Sequence, residues 1–223
     1  MKNWIRNNRG FLVFLLFFGL FRTAVADWNP IPSGSMRPNL LEGDVAFVNR
    51  LAYDLKLPLT DIILARTGEP RRGDIITFTS PKDGTRLIKR IVALPGDKVE
   101  MRNKLLSIND QPLQYAAQDS VPEPLGDGGA STQALRLTEQ LGQERHRIQW
   151  LAGINSMDDF GPLRVPADQF LMLGDNRDNS ADSRYIGLVP RHLLIGRAVR
   201  VLVSADIKGN WSPRFERFGM SLN

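Results

Sequence analysis

Three parts of the sequence contain side chains that could carry out chemistry together. Ser35 lies on a short turn framed by two prolines, and Lys89 lies inside the apolar segment 87–92. The densest polar stretch of the chain, residues 174–184, directly follows an apolar segment. A serine hydroxyl is a poor nucleophile without an adjacent base, and a neutral lysine can serve as that base. Taken together, the three parts predict nucleophilic catalysis by a serine and a lysine, with a polar network supporting the site.

Each of the three parts also has a plainer interpretation. The turn at Ser35 could be an ordinary surface loop, and residues 174–184 could be a solvated turn. Lys89 could lie on an edge strand with its amine in water, because edge strands favour lysine. In a strand, however, Lys89 would share a face with Leu87 and Ile91. Burial there could lower its pKa by about 3 units, which corresponds to about 4 kcal/mol of lost preference for the charged form.

The composition excludes several other classes of site. The chain of 223 residues contains no cysteine and two histidines, His146 and His192. It therefore has no disulfides, thiolate zinc sites, iron–sulfur clusters or cysteine nucleophiles, and little material for a histidine triad. We expect no metal and no cofactor.

The positive net charge is confined to the N-terminus. Lys2, Arg6, Arg9 and Arg22 precede the first acidic residue, and without them 25 basic and 24 acidic residues remain. The rest of the chain is almost neutral, so we expect no binding of nucleic acid.

The apolar segment 11–21 after this basic start has two interpretations. A cleaved secretory signal would end at Ala24-Val25-Ala26, which has the small-residue pattern of such exits. An uncleaved anchor needs roughly 20 residues, and residues 10–28 supply that length if Arg22 snorkels to the interface. Both interpretations place residues 29–223 outside the cytoplasm, because a basic flank stays inside.

The elements that must position the site are mostly strands, so we expect an antiparallel β fold with little helix. Residues 120–132 are rich in Pro, Gly, Asp and Ser and predict a long surface loop. The expected strands and hairpins are 44–49, 75–79, 86–94, a hairpin of 98–103 with 105–108, a hairpin within 134–150, 169–173 and 195–203.

Four segments, in order, resemble the conserved motifs of bacterial type I signal peptidases. They are Ile31-Pro-Ser-Gly-Ser-Met-Arg-Pro38, Arg72-Gly-Asp-Ile75, Lys89-Arg90 with Pro95-Gly-Asp97, and Gly174-Asp-Asn-Arg-Asp-Asn-Ser-Ala-Asp-Ser-Arg184. The resemblance implies that Ser35 is the nucleophile and Lys89 the general base. The other roles that it implies are orientation of the lysine by Ser180, an oxyanion hole of Ser33 and the Ser35 N–H, shallow pockets walled by Ile31 and Ile88, and a structural network of Arg90, Asp182 and Arg184.

The resemblance also implies a fold, a location and a substrate. It implies an antiparallel β catalytic domain (29–103 and 163–205) with a smaller inserted β domain (104–162) and a C-terminal tail (206–223). One transmembrane helix (10–28) would follow a cytoplasmic N-terminus (1–9) and hold the catalytic domain at the periplasmic side of the inner membrane. The partners would be the lipid bilayer and the signal peptides of exported precursors, which are cut after A-x-A.

The sequence departs from the family pattern at three points: it has one apolar segment where larger members have two, Ala93 replaces a common glycine, and Asn39 replaces a common threonine. Ala24-Val25-Ala26 also resembles a substrate of the enzyme itself. We expect Arg22 or the geometry of residues 27–30 to protect it.

Other functions remain compatible with the sequence. They are a peptidase specialised for a pilin-like substrate of conjugation, which would use the same dyad, a self-cleaving Ser-Lys repressor, and a secreted non-enzymatic β-rich binding protein.

Overall fold

Antiparallel β-sheets make up most of the protein, in a computed structural model that describes residues 2–58, 60, 62–125 and 130–222. The helices are α1 (Lys2–Asn7), α2 (Arg9–Ala24) and α3 (Ser183–Ile186). The strands are β1 (Ala26–Pro30), β2 (Asp44–Asn49), β3 (Asp54–Lys56), β4 (Ile63–Arg66), β5 (Ile75–Thr79), β6 (Arg86–Ala93), β7 (Lys98–Arg102), β8 (Leu105–Ile108), β9 (Gln111–Pro112), β10 (Gln114–Leu125), β11 (Ala130–Leu141), β12 (Glu144–Leu151), β13 (Phe160–Arg164), β14 (Gln169–Leu173), β15 (Val189–Pro190) and β16 (Leu194–Ser204). The expected antiparallel β class is confirmed.

A seven-stranded sheet forms the centre of the protein, in the order β1-β2-β16-β5-β6-β14-β15. Its inner strand β5 is rich in β-branched and aromatic residues and is buried on both faces, with Ile75 and Ile76 contributing to two different core clusters. The last long strand of the chain, β16, lies between β2 and β5.

A four-stranded sheet in the order β13-β7-β8-β9 packs against the central sheet through a shared apolar cluster that includes Val92, Val99, Leu106 and Leu171. Asn103 and Lys104 join β7 to β8 with φ values of 48° and 68°. Left-handed residues at both positions are typical of a tight hairpin turn. The hairpin expected around these two residues is therefore confirmed.

The expected surface loop over residues 120–132 is wrong for the residues that the structure describes. Strand β10 continues to Leu125 and β11 begins at Ala130, and the two pair antiparallel, while 126–129 lie outside the described residues. Pro122 and Pro124 misled the prediction. They lie on β10, an edge strand of the sheet β10-β11-β12, where a missing N–H can face away from the neighbouring strand.

The expected inserted unit (104–162) contains strands of two sheets. Strands β10, β11 and β12 form one of them, whereas β8, β9 and β13 belong to the sheet that also contains β7. The limits of the unit stay a prediction.

The N-terminal apolar segment forms α2, which has 16 residues and no buried side chain. The chain leaves the helix after Ala24, and residues from Ala26 onward pair with β2, so the last part of the expected anchor 10–28 is a strand. No helix among the described residues combines the length and the apolar character needed to cross a membrane, so the expected transmembrane helix is not supported.

The β11–β12 hairpin is attached to the polar stretch 174–184 by buried contacts. Gln149 donates its N–H to the carbonyl of Asp175 at 2.9 Å and accepts the N–H of Arg177 at 3.1 Å. The Arg177 guanidinium donates to both oxygens of Glu139 at 2.7 and 2.5 Å, and both side chains are almost fully buried. Burial alone would raise the pKa of Glu139, but the charge of Arg177 lowers it below its usual range.

We expect Glu139→Gln to destabilise the fold by about 3–5 kcal/mol near neutral pH, because it leaves a buried guanidinium without its counter-charge. In the wild type, the contribution of Glu139 should be lost as the pH falls through its lowered pKa, since a protonated carboxyl no longer pairs with Arg177. Urea unfolding measures both effects. Exposed Glu216→Gln is the control, and equal stability of the two variants would contradict a structural role for this pair.

Candidate active site

Ser35 lies in a short 3₁₀ helix, Gly34–Met36, which is buried throughout. Met36 anchors the turn in the core with no exposed surface. Asn176 holds it from the other side, because its N–H donates to the carbonyl of Ser35 at 3.1 Å and its Nδ2 donates to the carbonyl of Gly34 at 3.0 Å. The loop that carries Ser35 is therefore held by the buried Met36 side chain and by the two hydrogen bonds from Asn176 to its backbone carbonyls.

Lys89 lies on β6 and is only 2% exposed. Its Nζ donates to Oγ of Ser35 at 2.6 Å and to the carbonyl of Ile88 at 3.0 Å. The two residues are 54 positions apart in the chain. The fold thus brings together the serine and the lysine that the sequence analysis singled out.

Burial lowers the pKa of Lys89 to about 8, against a usual value of 10.5. The charges of Asp182 and Asp175 act in the opposite direction and favour the ammonium form. A pKa near 8 leaves roughly one molecule in ten with a neutral amine at pH 7, by the definition of the pKa. A neutral amine at this distance can accept the proton of the Ser35 hydroxyl.

A donor pair for an oxyanion lies beside the Ser35 hydroxyl. Oγ of Ser33 donates to Oγ of Ser35 at 3.4 Å, and the Ser33 side chain is otherwise exposed. The N–H of Ser35 has no hydrogen-bond partner in the part of the chain that the structure describes. Both groups are available to a ligand oxygen at this position.

Ser180 does not make the expected hydrogen bond to the lysine. Its Oγ is buried and has no partner among the described residues, and the amine of Lys89 instead uses Ser35 and the Ile88 carbonyl. The hydroxyl lies against Gly174, where the Cβ of any larger residue would clash with it and would lie 2.5 Å from the carbonyl oxygen of Ser35. Glycine at position 174 thus allows the backbone of the polar stretch to approach both serines.

Of the three residues expected to form a structural network, Asp182 and Arg184 pair with each other, whereas Arg90 pairs with Asp175. Asp182 accepts the Gly174 N–H at 3.0 Å and both Nε and Nη2 of Arg184 at 2.8 Å. Arg90 is bound by Asp175 rather than by Asp182, through two hydrogen bonds of 2.8 Å.

The roles of Asp175 and Asn176 could not be recognised from the sequence. Both belong to the polar stretch 174–184, but nothing in their spacing distinguishes them from the other polar residues around them. Asn39, which departs from the family pattern, donates to Asp175 and to the carbonyl of Arg147, both at 2.6 Å.

Ile31 and Ile88 line a common groove of about 390 Å³, and Ile88 directly precedes Lys89 on β6. Its walls come from the segment 28–32 and from the start of β6, and its remaining lining includes Thr77 and Arg22. Ile31 is 2% exposed. The two residues that were expected to form shallow apolar pockets therefore line the same groove.

Known proteins with the same sequence pattern decide the family. Residues 1–203 match the sequence family described as "Signal peptidase, peptidase S26". The chain belongs to this family of serine endopeptidases. The alternatives of a non-enzymatic binding protein and a self-cleaving repressor are thereby excluded.

Relatives named signal peptidase I support the assignment over nearly the whole chain. The protein from Pseudomonas fluorescens is 34% identical over 97% of this chain and 78% of its own length, and the protein from Pseudomonas aeruginosa gives the same values. A solved signal peptidase I from Enterococcus faecalis is 27% identical and covers 58% of this chain and 96% of its own, with a TM-score of 0.34 that is too low for a comparison of the two folds.

The burial of Lys89 predicts a stabilising substitution. We expect Lys89→Met to stabilise the protein by up to about 3 kcal/mol at pH 7. The fall of the lysine pKa from 10.5 to about 8 measures the free-energy cost of keeping its ammonium group buried, and methionine removes that cost. The gain should shrink between pH 8 and 10.5, where the unfolded wild type still binds the proton that the folded state has lost.

Urea unfolding of both proteins across this pH range measures the difference. Exposed Lys82→Met is the matched control and should show no such gain. A Lys89→Met variant with lower stability than the wild type at every pH would show that the amine is not desolvated.

Proposed function

We propose that the protein removes signal peptides from exported precursors, with Ser35 as the nucleophile and Lys89 as the general base. The observation that carries the proposal is the 2.6 Å contact between Nζ of Lys89 and Oγ of Ser35, with the lysine buried. Membership of the signal peptidase family and the names of its relatives supply the substrate class.

The proposed reaction has two stages. The neutral Lys89 amine takes the proton of the Ser35 hydroxyl while Oγ attacks the scissile carbonyl, and the oxyanion accepts hydrogen bonds from the Ser35 N–H and the Ser33 hydroxyl. The resulting ammonium gives its proton to the leaving amine, which departs and leaves an acyl-enzyme. Lys89 then activates a water molecule that releases the signal peptide from Ser35.

The groove supports a preference for small side chains. Ile31 and Ile88 line one groove of about 390 Å³, and Ile88 directly precedes Lys89 in the chain. Alanine side chains would fill such pockets, whereas large ones would be excluded by the buried walls. We therefore include cleavage after A-x-A in the proposal.

We further propose that α2 attaches the protein to a membrane. The supporting feature is a run of exposed apolar side chains along the helix, among them Phe11, Phe14, Phe17 and Phe21. Exposed apolar surface of this extent marks a contact with lipid or with another protein. Attachment there would keep the catalytic sheet close to the membrane, because β1 follows α2 almost directly.

The end of the protein's own Ala24-Val25-Ala26 is held in the central sheet. Ala26 pairs with Asn49 in the central sheet and is 7% exposed, and the carbonyl of Val25 accepts the N–H of Arg50 at 3.0 Å. Arg22 is bound to Asp27 at 3.2 Å and stacks on Trp28 at 4.2 Å. A segment paired in this way cannot extend into the catalytic groove without leaving the sheet.

One experiment tests both membrane attachment and the protection of Ala24-Val25-Ala26 from cleavage. After expression of the full chain, we expect the protein to sediment with membranes through an alkaline carbonate wash and to retain its N-terminus in sequencing. A carbonate-soluble protein that begins at Asp27 would contradict both expectations.

The dyad is tested by cleavage of a peptide that contains an A-x-A site, with the full chain in detergent. We expect Ser35→Ala and Lys89→Met each to lower the rate by at least about 1000-fold. The wild-type rate should rise with pH around a midpoint of about 8, because only the neutral amine can accept the serine proton.

Exposed Ser131→Ala and Lys82→Met are the matched controls and should cleave at the wild-type rate. A rate that does not change between pH 6 and pH 9, or a Lys89→Met variant that stays active, would remove Lys89 as the base.

A further inference from the structure

Two adjoining cavities lie between the β11–β12 hairpin and the end of the chain. Their volumes are about 380 and 240 Å³, and both are lined by Ile75, Arg90, Arg145, His146 and Leu222. We call them together the arginine cavity. Neither shares a lining residue with the groove of Ile31 and Ile88, so the arginine cavity is separate from that groove.

The lining of the arginine cavity is strongly basic. Six arginines line one or both of its parts, against two carboxylates, Asp74 and Glu144. The arginines are Arg71, Arg72, Arg90, Arg145, Arg147 and Arg197. This concentration contrasts with the near-neutral balance of the chain after its N-terminus.

Three of the six arginines already have a carboxylate partner. Arg72 pairs with Asp97, Arg90 with Asp175 and Arg197 with Asp74. The side chains of the other three, Arg71, Arg145 and Arg147, make no ion pair with any residue that the structure describes, and Arg145 bonds only to the neutral Gln140. The cavity therefore keeps positive charge that the protein does not neutralise.

The free edge of β12 adds backbone donors to the same place. Gln149 turns its N–H and carbonyl away from β11, as its bonds to Asp175 and Arg177 show. Alternate residues of an antiparallel strand turn the same way, and the β11–β12 register is unbroken, so Arg147 and Arg145 do likewise. The carbonyl of Arg147 accepts from Asn39, and the N–H groups of Arg145 and Arg147 have no partner within the described residues.

We propose that the arginine cavity binds a phosphate group. Guanidinium forks match the geometry of phosphate oxygens and bind them through paired, charge-assisted hydrogen bonds. Backbone N–H groups at the strand edge supply neutral donors of the kind that phosphate sites use. The phosphate could belong to a lipid headgroup or to a soluble phosphate compound, and both present the same chemistry to the arginines.

The site would touch the catalytic region through Arg90 and Asn39, which both line the cavity and donate to Asp175. Arg90 lines both parts of the cavity, donates to the carbonyl of Gly73 at 2.7 Å and binds Asp175, which follows Gly174 directly. Phosphate binding does not require the proposed peptidase chemistry, so the two proposals can fail independently.

Titration of the full chain in detergent with inorganic phosphate, at constant ionic strength set with chloride, tests the proposal by calorimetry. We expect saturable binding with one phosphate per chain. The double variant Arg145→Gln/Arg147→Gln should weaken it at least tenfold. The matched control Arg102→Gln/Arg164→Gln removes the same charge from exposed positions on β7 and β13 and should bind as the wild type does.

A second arm identifies the source of the phosphate. Binding to vesicles that contain phosphatidylglycerol, lost in the Arg145→Gln/Arg147→Gln variant and competed by inorganic phosphate, would assign the site to a lipid headgroup. Arginine-dependent binding of inorganic phosphate without such vesicle binding would assign it to a soluble compound. No saturable binding by the folded wild type, or equal weakening in both double variants, would overturn the proposal.

Discussion

The rest of the structure depends on keeping one amine out of water. An ammonium group is stable in solvent and costly in an apolar interior, so the position of Lys89 beneath the Ser35 turn is unfavourable for the folded protein at neutral pH. The same environment is what gives the amine a pKa of about 8. Stability and reactivity are therefore opposed at this residue, and the surrounding sheet has to supply the free energy that holds the lysine in place.

The polar stretch 174–184 limits how far burial lowers the pKa of Lys89. Asp182 and Asp175 are close enough to raise the pKa of Lys89, yet each is bound to an arginine, Arg184 and Arg90 respectively. The positive charge of each arginine thus partly offsets the effect of its carboxylate partner on the lysine amine. The stretch also clamps the Ser35 turn through Asn176, so the groups that tune the amine and the groups that place the hydroxyl belong to one short segment.

Much of this arrangement could be read from the sequence, and the failures have physical causes. Lys89 stands out because a lysine among large apolar residues is unfavourable without a purpose, whereas the turn at Ser35 gains meaning only beside that lysine and the polar stretch. The role of Asp175 was not visible, because its partner Arg90 lies 85 positions away and no local pattern links them. Pro122 and Pro124 suggested a loop, because propensity does not reveal which strand will lie at a sheet edge. Ser180 lies where the motif places it, in the buried neighbourhood of Ser35, but its hydroxyl has no partner among the described residues.

The order of strands in the central sheet has a consequence for the timing of synthesis. Ser35 precedes β2 and Lys89 lies on β6, and the two strands between them in the sheet are β16 and β5. Because β16 ends at Ser204, a ribosome must translate the chain to that residue before the sheet can close and bring hydroxyl and amine together. A nascent polypeptide that has not yet reached Ser204 therefore lacks the assembled pair of hydroxyl and amine.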